Sequence, residues 1–587
     1  MKTFFKQVLA VVVGMLIVLA FTFLMGFVML STMLSVGDSK PVIKEGSVLR
    51  IDLSGSLQER AQSNPLGEFL GTSATDTQGL DDILKSIKIA ATNDNISGIY
   101  LESGILNADM ASLEEVRKAL TDFKKSGKFI VAYGDSYMQG AYYVASVADS
   151  LYINPSGMLD WHGIASQPMF FKDVLEKIGV KMQVFRVGTF KSAVEPFIRT
   201  DMSEANRAMV SSFINDIWTV ACKDVSASRK ISVDSLNHLA DHYMALTDAE
   251  DYVRTHLVDR TAYVDEVRDR LRALAGTDRL SMVSPAELAA YDESGSGADG
   301  RIAVYYAQGD IVGSETEGVM GSGSQIVGPK VVEDLDRLAN DDQVKAVVLR
   351  INSGGGSAYA SEQMWRAVQL LKKKKPVVVS MSGMAASGGY YMSCGADYIV
   401  SEPMTLTGSI GIFGMVPDAS GLLTEKLGLH FDVVKTNEAS DFGAMGRGFN
   451  AGEAAAMQRY VERGYALFLR RVADGRHMTT ARVDSIAQGR VWTGRQALSL
   501  KLVDKLGTLE DAIREAARRA KVTEYGIVDY PAPVDWYTQL FETVKTDYME
   551  SRVKGMLGAY YKPLQFVYTL QGTDCLQARM PFDPNLR

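Results

Sequence analysis

An internal repeat constrains this chain more than any other feature. Residues 131–164 and 379–412 align without a gap at a constant offset of 248 positions over 34 residues. The first segment reads VAYGDSYMQGAYYVASVADSLYINPSGMLDWHGI and the second reads VSMSGMAASGGYYMSCGADYIVSEPMTLTGSIGI. A shorter match follows, between 176–179 and 425–428, at offset 249. Fixed self-similarity of this kind predicts two structural units built on one plan.

Each half alternates short β-branched runs with stretches of helical spacing. In the second half Val344–Ile351, Val377–Met381 and Tyr398–Ser401 are predicted strands, and Ala360–Lys374 is a predicted helix between the first two. Strands that alternate with helices of about 10–15 residues indicate βαβ units and a largely parallel sheet. The predicted fold is therefore α/β, with two similar domains in tandem.

An apolar run of 23 residues, 8–30, lies near the start of the sequence. At ~1.5 Å per residue, a helix of this length crosses a hydrocarbon core of ~30 Å. Lys2 and Lys6 precede the run, which favours an N-terminus in the cytoplasm and a main body outside it. A cleaved signal peptide is the alternative, but its apolar region is usually ~7–15 residues long. We predict an uncleaved, single-span membrane anchor.

The repeat and the apolar run together predict five segments. The small polar residues of 293–300 suit a loop between the two domains. Residues beyond about 524 have no counterpart in the first half, and the sequence predicts no role for them. The segments are a cytoplasmic tail at 1–7, an anchor at 8–30, a first domain at 46–292, a second domain at 300–524 and a C-terminal extension at 525–587.

Charge and cysteine content exclude several classes of function. A net charge of −8 and a pI near 5.5 argue against a nucleic-acid partner. The six histidines show no metal-ligand spacing, so we predict no metal site and no cofactor. An odd number of well-separated cysteines makes a disulfide framework improbable. These cysteines are Cys222, Cys394 and Cys575.

Two motifs in the second half suit nucleophilic catalysis. Ser387, in MAASGGY, lies between a predicted strand and a predicted helix, where it is either a nucleophile or an ordinary helix-capping serine. The loop NSGGGS at 352–357 follows another strand, and its free backbone N–H groups could stabilise an oxyanion. A tight turn or a phosphate-binding loop is the alternative, although the Gly-Lys-Ser/Thr ending of a nucleotide-binding loop is missing.

A serine nucleophile also needs a base. His430 and His477 lie downstream at ordinary strand-edge and helix-end positions, whereas a buried lysine can serve instead. Lowering the pKa of a lysine from ~10.4 to near 7 costs roughly 4–5 kcal/mol, and burial in an apolar site is the plausible source. Lys191 is flanked by apolar residues in VGTFKSAVEPF. The residues alone leave open whether it is the base or a solvated surface charge.

Four segments together, GMAASGGYYMS, INSGGGSAYASE, TLTGSIGIFG and GTFKSAVEPF, resemble the signal peptide peptidase A family of serine peptidases, in its long duplicated form. The resemblance implies the Clp protease/crotonase fold. One departure is Gly354, where the family usually has proline, so the oxyanion loop is expected to be less rigid. The implied site residues are Ser387 as nucleophile, Lys191 as general base, Ser409 as the residue that positions the lysine, and Gly388, Gly355 and Gly356 as oxyanion donors.

The same resemblance implies a setting and a substrate. Family members are homo-oligomers, with a tetramer expected here, on the outer face of the bacterial cytoplasmic membrane, where they degrade signal peptide remnants. In the repeat Ser387 aligns with Gln139 and Ser409 with Trp161, so each chain is expected to hold one active site. Two alternatives stay open: a crotonase-type enzyme acting on acyl-CoA, and a catalytically weak membrane scaffold of the same fold.

Overall fold

The computed structural model describes residues 13–25, 43–61, 77–291, 300–314, 324–532 and 576–580. Residues 13–25 form a helix with exposed apolar side chains. Within these described ranges no helix is long and apolar enough to cross a membrane. The remaining residues of the predicted anchor, 8–12 and 26–30, lie outside the described residues, as does most of the predicted linker at 293–300.

The first half is built around a parallel sheet. Its strands are β1 (Ser47–Gln58), β2 (Thr77–Gly79), β3 (Ile96–Asn107), β4 (Phe129–Tyr137), β5 (Ser150–Leu159), β6 (Lys181–Arg186), β7 (Arg260–Thr261) and β8 (Met282–Val283). Its helices are α1 (Leu80–Thr92), α2 (Met110–Phe123), α3 (Gln139–Ala145), α4 (Lys172–Lys177), α5 (Glu195–Ile198), α6 (Glu204–Arg229), α7 (Val233–Ala240), α8 (Ala249–Arg254), α9 (Val264–Ala275) and α10 (Pro285–Ala289). The strand order is β2-β1-β3-β4-β5-β7, with β8 also on β1.

The second half repeats this plan. Its strands are β9 (Arg301–Gln308), β10 (Asp310–Val312), β11 (Gln325–Val327), β12 (Val344–Ser353), β13 (Gly355–Ser357), β14 (Val377–Ala386), β15 (Tyr398–Ser401), β16 (Leu406–Gly408), β17 (Phe413–Asp418), β18 (Val491–Thr493), β19 (Lys505–Leu506), β20 (Gly526–Tyr530) and β21 (Leu576–Arg579). Its helices are α11 (Gly328–Asn340), α12 (Ala358–Lys372), α13 (Gly388–Ser393), α14 (Ala451–Gly475), α15 (Thr480–Ile486), α16 (Gly494–Ser499) and α17 (Leu509–Ala520). The main sheet runs β18-β16-β14-β12-β9-β20 and is parallel except between β16 and β18.

The central strands of both sheets are buried on both faces, as expected for parallel strands covered by helices. Equivalent hydrogen bonds confirm the duplication. The Tyr142 hydroxyl donates to the Leu257 carbonyl at 2.9 Å, and the Tyr390 hydroxyl donates to the Leu502 carbonyl at 2.8 Å. The α/β repeat predicted from the sequence is therefore present in the three-dimensional structure.

A third sheet joins the two halves, in the order β11-β10-β13-β21-β17-β6. Strand β6 comes from the first half and pairs antiparallel with β17 over six residues. A buried ion cluster also joins the halves: Arg350 contacts Glu59 at 2.7 Å and Glu115 at 2.6 Å. Removing one partner of such a cluster leaves an uncompensated buried charge, so loss of any one of these side chains is expected to destabilise the packing of the two halves.

Candidate active site

Ser387 lies at a strained turn between β14 and α13. Its φ of 54° and ψ of −109° are rarely adopted by residues other than glycine, and its backbone N–H donates to the Gly408 carbonyl at 2.8 Å. Such strain persists where the surrounding structure enforces it, most often at functional sites. The side chain makes no capping hydrogen bond to α13. Its hydroxyl is therefore presented to the junction between the two halves rather than to its own helix.

Lys191 reaches Ser387 from the first half. Its Nζ lies 2.8 Å from Ser387 Oγ, and it lies 3.1 Å from both Oγ and the carbonyl oxygen of Ser409. All three residues are fully buried, and burial lowers the pKa of the Lys191 amine well below its usual value. A neutral amine can accept the serine proton while its own hydrogens are directed to Ser409.

The lysine loop is fixed against the second half. The Phe190 N–H donates to the Gln488 carbonyl at 2.8 Å, and a Cβ on Gly489 would lie 2.6–2.7 Å from Lys191 atoms. Only glycine at 489 therefore allows the two backbones to approach so closely. The loop continues into Ser192, whose hydroxyl donates to the Asn206 side chain at 3.0 Å.

Glu195 anchors the other end of the lysine loop. This buried carboxylate accepts hydrogen bonds from the N–H of Ser203 at 3.1 Å, from its hydroxyl at 2.6 Å and from the Asn206 amide at 3.0 Å. In the sequence, Glu195 is one residue of the motif around Lys191, and the sequence predicts no role for it. Its position inside the lysine motif, next to Pro196, was the available signal.

We expect Glu195→Ala to lower the free energy of unfolding by about 3 kcal/mol, because it leaves buried donors of Ser203 and Asn206 without an acceptor. As a positioning residue, Glu195 should also affect kcat more than KM. Chemical denaturation and steady-state kinetics check both expectations, with Glu195→Gln as the conservative variant that restores part of each. Equal kcat in all three proteins would contradict the positioning role.

The glycine-rich loop borders the turn that carries Ser387. Gly355 and Gly356 have φ values of +100° and +155°, and the Gly355 N–H donates to the Ser353 hydroxyl at 3.1 Å. Gly388 is the first residue of α13, where a backbone N–H has no acceptor within its helix. A Cβ on Gly355 would lie 2.7 Å from the Gly388 nitrogen, so the two loops meet at one point. The structure thus brings together all six site residues predicted from the sequence.

Strand β21 is the element at this site that the sequence did not predict. It lies between β13 and β17 and pairs antiparallel with both. Its residues, Leu576–Arg579, belong to the C-terminal extension, and their four-residue length offers no periodicity that would have revealed a strand.

In the first half, Gln139 and Trp161 occupy the positions equivalent to Ser387 and Ser409. Trp161 is fully buried and its indole N–H donates to the Leu236 carbonyl at 3.0 Å. The Gln139 side chain donates to the Gly163 carbonyl at 2.9 Å. In the described part of the chain, His430 and His477 make no hydrogen bond with Ser387 or Lys191. The first half therefore contributes the lysine but has no serine nucleophile of its own at the matching turn.

Comparison with protein-family models finds one family in both halves of the chain. The model of peptidase family S49 matches residues 122–278 and 369–523, one stretch in each half. A CoA-ligase model matches 293–407, about a fifth of the chain. Among solved structures, a ClpP1 mutant from Listeria monocytogenes has a TM-score of 0.24 and 14% identity, and the match covers 36% of this chain and 94% of that chain.

Curated relatives match over most of their length. Protease 4 of Salmonella typhi is 39% identical over 84% of this chain and 81% of its own. Protease 4 of Haemophilus influenzae is 33% identical over 88% and 86%, and the chloroplastic serine protease SPPA of Arabidopsis thaliana is 31% identical over 82% and 70%. These matches confirm the resemblance predicted from the motifs: the chain belongs to peptidase family S49 and is a serine peptidase, in the long form that carries the family domain twice.

Proposed function

We propose that this chain is an endopeptidase that uses a split dyad, with Ser387 from the second half as nucleophile and Lys191 from the first half as general base. The distance of 2.8 Å between Lys191 Nζ and Ser387 Oγ, in a fully buried site, carries the proposal. Because burial lowers the pKa of Lys191, a larger fraction of the amine is neutral at neutral pH and can accept a proton.

The reaction proceeds by acyl transfer. Neutral Lys191 takes the Ser387 hydroxyl proton as Oγ attacks the scissile carbonyl carbon, and the resulting ammonium is held by Ser409. The ammonium then protonates the leaving amine as the peptide C–N bond breaks. A water molecule, deprotonated by Lys191, attacks the acyl-serine ester. As the ester C–O bond breaks, the Lys191 ammonium returns this proton to Ser387 Oγ, and the product leaves with a new C-terminal carboxyl group. The same lysine therefore acts as base and acid in acylation and again as base and acid in deacylation.

Backbone N–H groups stabilise the tetrahedral oxyanion. Gly388 follows the nucleophile directly, and Gly356 belongs to the loop that meets it. Hydrogen-bond donors that are in position before the reaction stabilise the oxyanion more than solvent water does, because they need no reorganisation as charge develops. Gly355 contributes by its shape, since its N–H is already directed to the Ser353 hydroxyl.

We further propose that the substrates are signal peptide remnants and other small peptides, cleaved outside the cytoplasm by a chain anchored in the bacterial cytoplasmic membrane. The apolar run at 8–30 with Lys2 and Lys6 before it supports the anchor and its orientation. An extended peptide suits the position between β13 and β17, where β21 of this chain pairs antiparallel with both strands.

Peptide cleavage by the full-length chain in detergent tests this function. Apolar, signal-like peptides are incubated with the wild type and with Ser387→Ala, and the products are identified by mass spectrometry. Ser485→Ala, which removes an exposed serine, is the matched control. We expect cleavage by the wild type and the control only. Cleavage by a folded Ser387→Ala variant at the wild-type rate would contradict the assignment.

The repeat also supports a homo-oligomer, with a tetramer proposed. Strand β6 pairs with β17 inside the chain, from Arg186 opposite Phe413 to Lys181 opposite Asp418. By the repeat offsets, the counterpart of β6 is 430–435 and the counterpart of β17 is 165–170. Both counterparts lie outside the strands of this chain and expose apolar side chains. These are Met169 at 70%, Phe431 at 44%, Val433 at 49% and Val434 at 100% exposed.

We infer that 430–435 of one copy pairs antiparallel with 165–170 of the next, in the register of β6 and β17. Such head-to-tail contacts generate a closed ring when the rotation between copies allows it. In a Cys575→Ser background, Gln167→Cys with Val433→Cys should give disulfide-linked oligomers on non-reducing gels. Tyr263→Cys with Val433→Cys is the control and should stay monomeric on the gel. Linkage in the control alone, or in neither pair, would contradict the pairing.

A further inference from the structure

The turn that follows α15 contacts both of the backbone segments that hold the lysine amine in place. On one side the Gln488 carbonyl accepts from the N–H of Phe190, the residue before Lys191, at 2.8 Å. On the other side the Arg490 carbonyl accepts from the Ser409 N–H at 2.7 Å. Ser409 has a φ of 48°, which is a strained value for a residue other than glycine. The main chain of this turn therefore supports both the lysine loop and the serine that contacts the amine.

The side chain of Arg490 connects the two halves a second time. Its guanidinium carbon lies 4.9 Å from the ring centre of Phe190, in the first half. It also lies 4.3 Å from the ring centre of Trp492, on β18 of the second half. A guanidinium within about 6 Å of an aromatic ring centre is attracted to the negative face of the ring. The ring next to Lys191 is thus attached to the second half through this cation.

The described residues offer this guanidinium no carboxylate partner. Within them, Nε of Arg490 is buried without a hydrogen-bond partner, and burial alone, with no acidic group nearby, lowers the pKa of Arg490. The side chain stays charged nonetheless, because the pKa of arginine in water exceeds ~12. A cation over an aromatic ring is held more strongly where water is excluded. The two rings are therefore the groups that fix its position.

The matching positions of the repeat lack this contact. Helices α8 and α16 align at an offset of 245 positions (494 − 249), which places Ala245 opposite Arg490. At the offset of 249 that relates 176–179 to 425–428, Ala439 aligns with Phe190. Neither the cation nor the ring beside it therefore belongs to the plan that the two halves share. Both residues occur at the junction that contains the dyad.

We propose that Arg490 is a positioning residue for Lys191, an inference that rests on the proposed dyad. By its contact with the Phe190 ring, the guanidinium holds the lysine loop of the first half against the second half. Lys191 Nζ is thereby kept at 2.8 Å from Ser387 Oγ. Misplacing a catalytic group by about 1 Å costs on the order of 10²-fold in rate, so a loop that shifts slightly loses most of its catalytic effect.

Steady-state kinetics on the apolar peptides, with the full-length chain in detergent, test this role. We expect Arg490→Leu to lower kcat ~10- to 100-fold and to leave KM within about twofold, because the loop positions the base rather than the peptide. The main-chain bond to Ser409 is kept in this variant. Arg463→Leu is the matched control, since this exposed arginine lies over the Tyr460 ring at 5.7 Å on α14. Its kcat should equal that of the wild type.

Three further measurements distinguish positioning from a general loss of stability. Phe190→Leu combined with Arg490→Leu should lose no more activity than the weaker of the two single variants, because both remove one shared contact. The rate at which a fluorophosphonate probe phosphonylates the nucleophile should have its inflection at higher pH in Arg490→Leu, since a displaced Lys191 is less buried. Arg490→Lys keeps the charge without the planar group, so its kcat should be intermediate. This variant carries the test if the leucine variant does not fold.

The outcomes separate this inference from the proposed function. A folded Arg490→Leu variant with the kcat and the inflection of the wild type would overturn the positioning role and leave the dyad intact. Losses that add in the double variant, or an equal loss in Arg463→Leu, would overturn it as well. A lower kcat with an unchanged inflection would assign the effect to stability instead. If the folded wild type neither cleaves a peptide nor reacts with the probe, the proposed function itself fails.

Discussion

Replacing Lys191 by alanine is expected to lower kcat/KM for peptide cleavage by at least ~10³-fold, with the chain still folded. The amine is the group within hydrogen-bond distance of Ser387 Oγ, and it alone reaches the nucleophile from the other half of the described chain. Lys172→Ala is the matched control, since Lys172 is a half-exposed lysine on α4 whose carboxylate neighbour, Glu176, lies 3.9 Å away. A Lys191→Ala variant that is as active as this control would exclude Lys191 as the base.

Lys191 should also make the free energy of unfolding depend on pH. Its pKa is lowered in the folded state, so between that value and the unfolded value of ~10.4 the unfolded chain binds more protons. The contribution of Lys191 to the free energy of unfolding therefore rises with pH across that window. Below the window, burial of Lys191 destabilises the folded chain most. Lys191→Met should be more stable than the wild type at neutral pH and should lose this part of the slope. Urea denaturation at several pH values measures both effects.

Gly355→Ala is the substitution with the second-largest expected effect. Its φ of +100° disfavours any side chain, and the new Cβ would lie 2.0 Å from the Ala578 oxygen and 2.7 Å from the nitrogen of Gly388, a proposed oxyanion donor. We expect kcat/KM to fall by ~10²–10³-fold, the range seen when one oxyanion donor is lost. Steady-state kinetics on the same peptides measure the loss.

The neighbouring glycine supplies the control for this experiment. The atoms nearest to a Cβ on Gly354 would be Met384 Sδ at 3.3 Å, Met580 Cβ at 3.6 Å and Met384 Cε at 3.8 Å. Gly354→Ala is therefore expected to keep activity within about threefold of the wild type, because a flexible methionine can move. If both alanine variants lose activity equally, the loop rather than the oxyanion position is responsible.

Local sequence patterns predicted the elements named in the second half well. The strand expected at Val344–Ile351 forms β12 and extends to Ser353, and the strand expected at Tyr398–Ser401 has those bounds in the structure. The helix expected at Ala360–Lys374 starts and ends two residues earlier, because the Ser357 hydroxyl caps it by accepting from the Ala360 N–H. Hydrophobic periodicity and turn residues determine secondary structure over short stretches of chain, so strands and helices can be predicted from one sequence.

Contacts between the two halves are not encoded in local sequence patterns. Lys191 and Ser387 are 196 positions apart, and no local pattern selects one buried lysine from the rest. The family resemblance was therefore needed to pair them. The antiparallel pairing of β6 with β17, and of β21 with β13, likewise depends on the packing of distant segments rather than on propensity.

The split dyad is tested most directly by the rate at which a fluorophosphonate probe phosphonylates Ser387, with loss of fluoride, followed by intact mass from pH 5 to 10. Wild type should take up one probe per chain, with a rate that rises with pH through an inflection below the ordinary lysine pKa, because the probe reports the neutral form of Lys191. Folded Lys191→Ala should react far more slowly and lose that inflection. Labelling of Lys191→Ala at the wild-type rate and with the wild-type pH profile would contradict the dyad.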